Sequence, residues 1–192
     1  MSYANVEDLL LYGPCEEQMG TEKEKWEEYV RNRKDVYDRL TPQHVQHSMI
    51  SEANWVLRSQ YASCEPLGLE IHQGDICFMD FGQAYLNEMG YQHFGLVMAL
   101  CQKKALVIPM TSNTVQYDSA YDPLQNPNGK MHLMRIGQIE GLNKPSVLFL
   151  NDMKFVNTAR VIGVKASIPS DDALFRKIQQ RMLQIMFAPE KS

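Results

Sequence analysis

Apolar positions along this chain recur with two different periods. Beyond Thr21, the residues Trp26, Tyr29, Val30, Val36, Tyr37 and Leu40 return at helical spacing among charged neighbours, which is the pattern of a helix with one apolar face. Thr21 followed by Glu24 forms a capping-box signature at its start. Thr41-Pro42 then supplies an N-cap residue and a proline at the first helical position. That signal predicts a second helix from Pro42 to about Tyr61, burying Val45, Met49, Ala53 and Val56. With almost no loop between them, the two segments make either an αα-hairpin or one sharply bent helix. The first 20 residues carry a weaker pattern, in which residues 9–11 fit a short helix or a docking strand.

The period then changes. Residues 75–81, 94–100, 105–110, 131–136, 147–150 and 159–164 read as short strands. No long helical stretch separates them, which argues for a small, mostly antiparallel barrel and against a βαβ sheet. Two long connections interrupt the strands, 82–92 and 112–130, the second containing Asn-Pro-Asn-Gly; long loops on a small barrel are places to look for function. The chain closes on a helix capped by Ser170, with Asp171 and Asp172 in the first turn where the helix dipole favours negative charge. Leu174, Ile178, Met182 and Met186 lie on one stripe with Ile185 beside it, the side expected to close the barrel. The expected fold is therefore mainly β with helices.

Composition sharpens this reading in three ways. The 192 residues are 44% hydrophobic and 22% charged, which excludes wholesale disorder. No apolar run approaches a membrane span, and the opening residues have no basic segment of secretory type, so a cytoplasmic location is expected. Cys15, Cys64, Cys77 and Cys101 lie far apart without a C-x-x-C, which fits free thiols better than zinc ligands or a disulfide scaffold. The net charge of −4 is unevenly spread: residues 1–66 hold 7 Lys+Arg against 12 Asp+Glu, whereas residues 67–168 hold 8 against 8. That shift, beside Pro66 and Gly68, marks the expected boundary between a helical N-terminal extension, 1–66, and a barrel domain with its C-terminal helix, 67–192. A contact with nucleic acid has to come from a local patch, because the chain as a whole is acidic.

The common catalytic signatures are missing. There is no G-x-S-x-G, P-loop, G-x-G-x-x-G or H-E-x-x-H. His44 and His47 are three apart on the second helix, but no second ligand pair of matching spacing accompanies them, so they read as a helix-surface pair, with no metal or cofactor expected.

The strand region carries a resemblance. Gly74-Asp75-Ile76-Cys77-Phe78-Met79-Asp80-Phe81 resembles the opening strand of the MazF/PemK (Kid) toxin family, commonly G-D-I/V-x-x-V-D. Glu88, Gly90, Leu96 and Val97 match the family's next loop and strand in register, and His93-Phe94 occupies the family's Arg-Pro position. Val107-Ile108-Pro109-Met110-Thr111-Ser112 is similar to a strand ending in P-x-T-S, and residues 147–157 resemble the later segment. The likeness covers about residues 69–187, roughly 120 residues.

The resemblance implies a compact SH3-like antiparallel barrel of the MazF/Kid/CcdB type, a homodimer, and metal-independent endoribonuclease cleavage of single-stranded RNA, restrained by a cognate antitoxin. Such cleavage needs a base for the 2′-OH, an acid for the leaving 5′-oxygen and donors for the phosphorane charge. The family threonine is matched by Thr111, with Ser112 and Asn113 as donors beside it. The family arginine is replaced by His93, which can exchange a proton near neutral pH but cannot offer a permanent bidentate fork. Glu88 falls in the substrate-adjacent loop and is a catalytic candidate with His93 and Thr111; Asp152, Lys154 and Arg160 match acidic or basic positions of the later segment and, with Ser112 and Asn113, are candidate RNA contacts. Tyr85, Tyr91 and Tyr117 are candidates for base stacking. The missing arginine and the acidic front third leave a second reading open, a barrel that has lost catalysis and binds nucleic acid or protein as a regulatory module. The acidic N-terminal helices either gate the site or stabilise the barrel.

Overall fold

The computed structural model describes residues 21–187; the expectation for residues 9–11 and the thiol of Cys15 lie outside them. The chain parts into two compact units between Val45 and Gln46. In the first, helix α1 runs Glu22–Asp38 and the capping box is formed: Thr21 Oγ1 accepts from the Glu24 N–H, and Glu24 accepts from the Thr21 N–H at 2.6 Å. The Arg33 guanidinium lies over the rings of Tyr29 and Tyr37 and donates to both phenol oxygens. No residue of α1 is buried.

Helix α2 spans Pro42–Arg58, with the Thr41 hydroxyl accepting from the His44 N–H. Its orientation corrects the sequence expectation. Met49, Ala53 and Val56 are exposed, and the buried residues are Ser48 and Ser51, at 1% and 4% exposure. The reason is a polar anchor on the sheet, described below, which draws the hydroxyl face of the helix inward.

Among the described residues seven strands form one antiparallel sheet: β1 Asp75–Asp80, β2 Gln92–Cys101, β3 Lys104–Thr111, β4 Leu133–Gly137, β5 Ser146–Phe149, β6 Lys154–Asn157 and β7 Val161–Ser167. Their order is β4-β5-β3-β2-β1-β7, with β6 also on β3. Strand β3 shares one edge between two partners: Met110 and Thr111 pair with β5, and Lys104 through Val107 pair with β6. The expected barrel is thus an open sheet, since β4 and β7 do not pair with each other. Strand β6 is hidden in the sequence because it is four residues long and alternates poorly.

Alternation along the strands sends side chains to two cores. Ile76, Leu96, Met98, Ile108, Met110 and Leu148 face helix α4, Ala173–Met186, which buries Phe175 and Ile178 among them. Leu174, Met182 and Ile185 pack against that core as the stripe implied, whereas Met186 is exposed. The α4 cap is Asp172, accepting from the Leu174 N–H, and not Ser170. Cys77, Met79, Val97, Val107, Val156 and Val161 form the second core on the other face. Gly95 is required there, because a Cβ would lie 2.4 Å from Val107 Cγ1 and 3.1 Å from Phe81 Cζ. Among the described residues no helix is long and apolar enough to cross a membrane.

Candidate active site

The loop between β1 and β2 is closed by a pair of backbone bonds: the Phe81 N–H donates to Tyr91 O and the Tyr91 N–H to Gly82 O, both at 2.7 Å. Tyr91 adopts φ +57° to make this closure. Two residues on, His93 stands opposite Met79 of β1. On its other side Phe94 pairs with Met110 of β3, and His93 and Thr111 are the next residues of the two strands beyond that pair. Of the three catalytic candidates, His93 and Thr111 thus sit on adjacent strands, whereas Glu88 lies in the loop before β2.

His93 Nδ1 lies 2.7 Å from Gly90 O. A carbonyl oxygen only accepts, so Nδ1 carries the proton and the lone pair of the neutral ring is on Nε2. Burial lowers the His93 pKa from its ordinary value; the Gly90 bond pulls it back up, and the nearby His47 pushes it down again. Burial thus favours the neutral ring, the form that can accept a proton.

Thr111 Oγ1 accepts the Asn113 N–H at 3.2 Å, which leaves the hydroxyl hydrogen of Thr111 to donate elsewhere. Asn113 is occupied as the N-cap of the short helix α3, Thr114–Ser119, accepting from the Val115 and Gln116 N–H groups. Ser112 is exposed between them.

Glu88, Asp152 and Lys154 gather at the other end of the loop. Asp152 Oδ2 accepts the Met89 N–H at 2.5 Å, Lys154 Nζ donates to Met89 O at 3.3 Å, and the two side chains pair at 3.0 Å. Asp152 and Lys154 thus clamp Met89, next to the Gly90 that holds His93. Glu88 is exposed and closes its own turn on the Tyr85 N–H. Arg160 Nη1 donates to Asp80 O at 3.2 Å, bracing the end of β1. Of the tyrosines, Tyr85 is exposed, whereas Tyr91 and Tyr117 are half-buried.

Three neighbours of the site are not among the sequence candidates. Asp80 is buried and accepts four hydrogen bonds: Ser51 Oγ and Gly82 N–H on Oδ1, Asn54 Nδ2 and Gln92 Nε2 on Oδ2. His47 of α2 stacks near the Tyr91 ring, centroids 6.0 Å apart, and the adjacent Ser48 hydroxyl lies 3.1 Å from Tyr91 Oη. Arg135 of β4 pairs with Val147, which pairs in turn with Thr111, so one row crosses three strands from Thr111 to Arg135. Arg135 is tied to Tyr117 O, Asp118 O and Gln125 and lies over the Tyr117 ring. A lone arginine within a strand pattern is its only sequence signal, since its partners come from the distant loop. Among the described residues no group of three or more His, Cys, Asp or Glu is arranged to hold a metal ion.

Several known structures are similar to part of this chain at low identity. MazF from Deinococcus radiodurans is similar at 13% identity and a TM-score of 0.45, with 62% of this chain and 97% of that one covered. An endoribonuclease in complex with its cognate antitoxin, from Mycobacterial species, is similar at 9% and 0.43, covering 64% of this chain and 100% of that one. The Mycobacterium tuberculosis toxin MazF-mt6 is similar at 11% and 0.40, covering 61% and 99%. No family model matches the chain, and no curated protein matches it in sequence. Likenesses at this level carry no chemistry across to this chain.

Proposed function

We propose that the chain is a metal-independent endoribonuclease acting on single-stranded RNA, with His93 as the base. The observation that carries this reading is the His93 ring, fixed through Nδ1 on Gly90 O with burial favouring its neutral form, on the strand next to the one that ends in Thr111. Nε2 would take the ribose 2′-OH proton, the 2′-oxygen would attack phosphorus as the P–O5′ bond breaks, and a solvent water would protonate the leaving 5′-oxygen, giving a 2′,3′-cyclic phosphate and a 5′-hydroxyl end. Thr111, with Ser112 beside it, would donate to the non-bridging oxygens. Asp152 and Lys154 support the reading as positioning residues, because they hold Met89 next to Gly90. A cognate antitoxin and a homodimer formed through the sheet belong to the same reading.

A second reading, a binding module without catalysis, is favoured by a specific observation. The cations nearest the site already serve the fold: Arg135 on the loop carbonyls, Arg160 on Asp80 O, Lys154 on Asp152. Cleavage of a long RNA in excess EDTA separates the two. The enzyme reading expects cleavage that EDTA leaves unchanged and that His93→Ala lowers about 10²–10⁴-fold. RNA retention without cleavage by the wild-type chain supports the binding module, and cleavage unaffected by His93→Ala removes His93 from the chemistry.

A further inference from the structure

The face that α2 turns away from the sheet has a pattern of its own. At about 100° per residue, Met49, Ile50, Ala53, Val56 and Leu57 fall on one stripe centred on Ala53, opposite the buried Ser48 and Ser51. All five are exposed, Met49 at 59% and Val56 and Leu57 at 66% each. A helix normally hides such a stripe; here the two buried residues of the helix, Ser48 and Ser51, lie on the opposite side, where Trp55 is exposed.

We propose that this stripe is the docking surface for a second copy of the chain, α2 against α2, antiparallel about a two-fold axis at Ala53. An isologous interface requires a patch that complements itself, and this one is symmetric in sequence. Reversing the helix about Ala53 sets Met49 and Ile50 against Leu57 and Val56 of the second copy. The smallest residue falls on the axis, where two helices approach most closely. No charge has to be buried, since the stripe has none and the residues at its two ends, Gln46 and Gln60, are neutral.

The area sets the strength. Met49, Ile50, Val56 and Leu57 leave on the order of 300 Å² of apolar surface per copy at their exposures. With a polar rim in the usual proportion, the pair would bury about 1,000 Å², the small end of specific interfaces. The dimer is therefore weak and dissociates on dilution. It is independent of the endoribonuclease reading and distinct from a dimer built through the sheet.

Sedimentation velocity of the full-length chain from about 1 to about 200 µM brackets the micromolar range expected of a small interface. The expected result is a monomer–dimer equilibrium. Ala53→Glu sets two carboxylates together at the axis and should weaken it about 100-fold or more, with the thermal melt unchanged because Ala53 is exposed. In a Cys15→Ser, Cys101→Ser background, Ala53→Cys should give a disulfide-linked dimer on mild oxidation, and Ser59→Cys, off the stripe, should not. A chain that stays monomeric at the highest concentration overturns the proposal. So does a dimer that Ala53→Glu leaves intact, which would place the interface on the sheet, and so does equal cross-linking of the Ala53→Cys and Ser59→Cys variants.

Discussion

Removing the Asp80 carboxylate tests what holds α2 to the sheet. Asp80 is 4% exposed, and its two oxygens take Ser51, Gly82, Asn54 and Gln92 at 2.8 to 3.1 Å. A hydrogen bond to a charged group contributes about 1.5–3 kcal/mol net, and a donor left buried without a partner loses a similar amount. The four share one acceptor and do not add, so Asp80→Ala should cost about 4 kcal/mol, a large share of an ordinary domain's stability. Asp80→Asn keeps one acceptor oxygen for Ser51 and Gly82 and sets an amide against Asn54 and Gln92, so about half that loss is expected. Urea unfolding followed by circular dichroism gives the magnitudes. Amide hydrogen exchange over residues 46–58 shows whether α2 is what loosens. The acid dependence has a fixed sign. Burial alone would raise the Asp80 pKa, but the bonds from Asn54, Gly82, Ser51 and Gln92 outweigh it and hold the carboxyl below its ordinary value. The stabilisation is then complete above the unfolded carboxyl pKa near 3.9 and is lost as pH falls below it, through the lower folded value. The advantage of wild type over Asp80→Asn should shrink only below about pH 4. A loss under about 1 kcal/mol in Asp80→Ala, with exchange over 46–58 unchanged, would refute the anchor.

The remaining predictions concern titration and thiols. If His93 is the base, the rate should rise with pH through a midpoint below the ordinary histidine value of about 6.5, because the folded pKa is lowered by burial; a midpoint above it in the cleavage profile would count against that role. For stability the same lowered pKa works in the acid direction: the unfolded chain binds the proton more readily, so unfolding free energy should fall as pH drops from about 6.5 through the folded value, and His93→Gln should flatten that slope in urea titrations. Cys77, buried and pushed up to about 12 by that burial, should resist maleimide in the native state, while the exposed Cys101 reacts; rapid labelling of Cys77 would contradict the second core.

Much of the sheet is legible in the sequence because its signals are local. Alternation locates β1, β2, β3 and β5, whereas the shift in charge balance beside Pro66 does not coincide with the division between Val45 and Gln46. That His93 and Thr111 stand on adjacent strands follows from the hairpin of β2 and β3. What stays hidden depends on partners far apart in sequence. Arg135 gains meaning only from carbonyls of the loop at 117–118, and the Asp152–Lys154 clamp only from Met89, more than 60 residues earlier. Periodicity places a residue on a face but does not say which loop will reach it.

Helix α2 shows where that rule fails more sharply. Its apolar stripe is present in the structure as in the sequence, but it points outward and not, as the periodicity predicts, into the core. Burying an apolar face is the usual way a helix docks, but it is not obligatory when the sheet offers a stronger polar hold. Asp80 supplies one: an ionised acceptor at the end of β1, buried where no water replaces its partners, so that leaving it unpaired costs more than exposing a few methyl groups. Ser51 and Asn54 meet it, and Arg58 donates to Ala159 O and Val161 O at 3.2 and 2.6 Å, continuing the same polar face down the helix. The seam is hydrogen-bonded and not greasy, and the greasy side is left free. A helix held this way has two consequences that belong together: the anchor beside Tyr91 and His93 depends on one carboxylate, and the exposed stripe is available to a second copy. If the stripe proved to be the buried side, both the Asp80 anchor and the α2 dimer would fall at once.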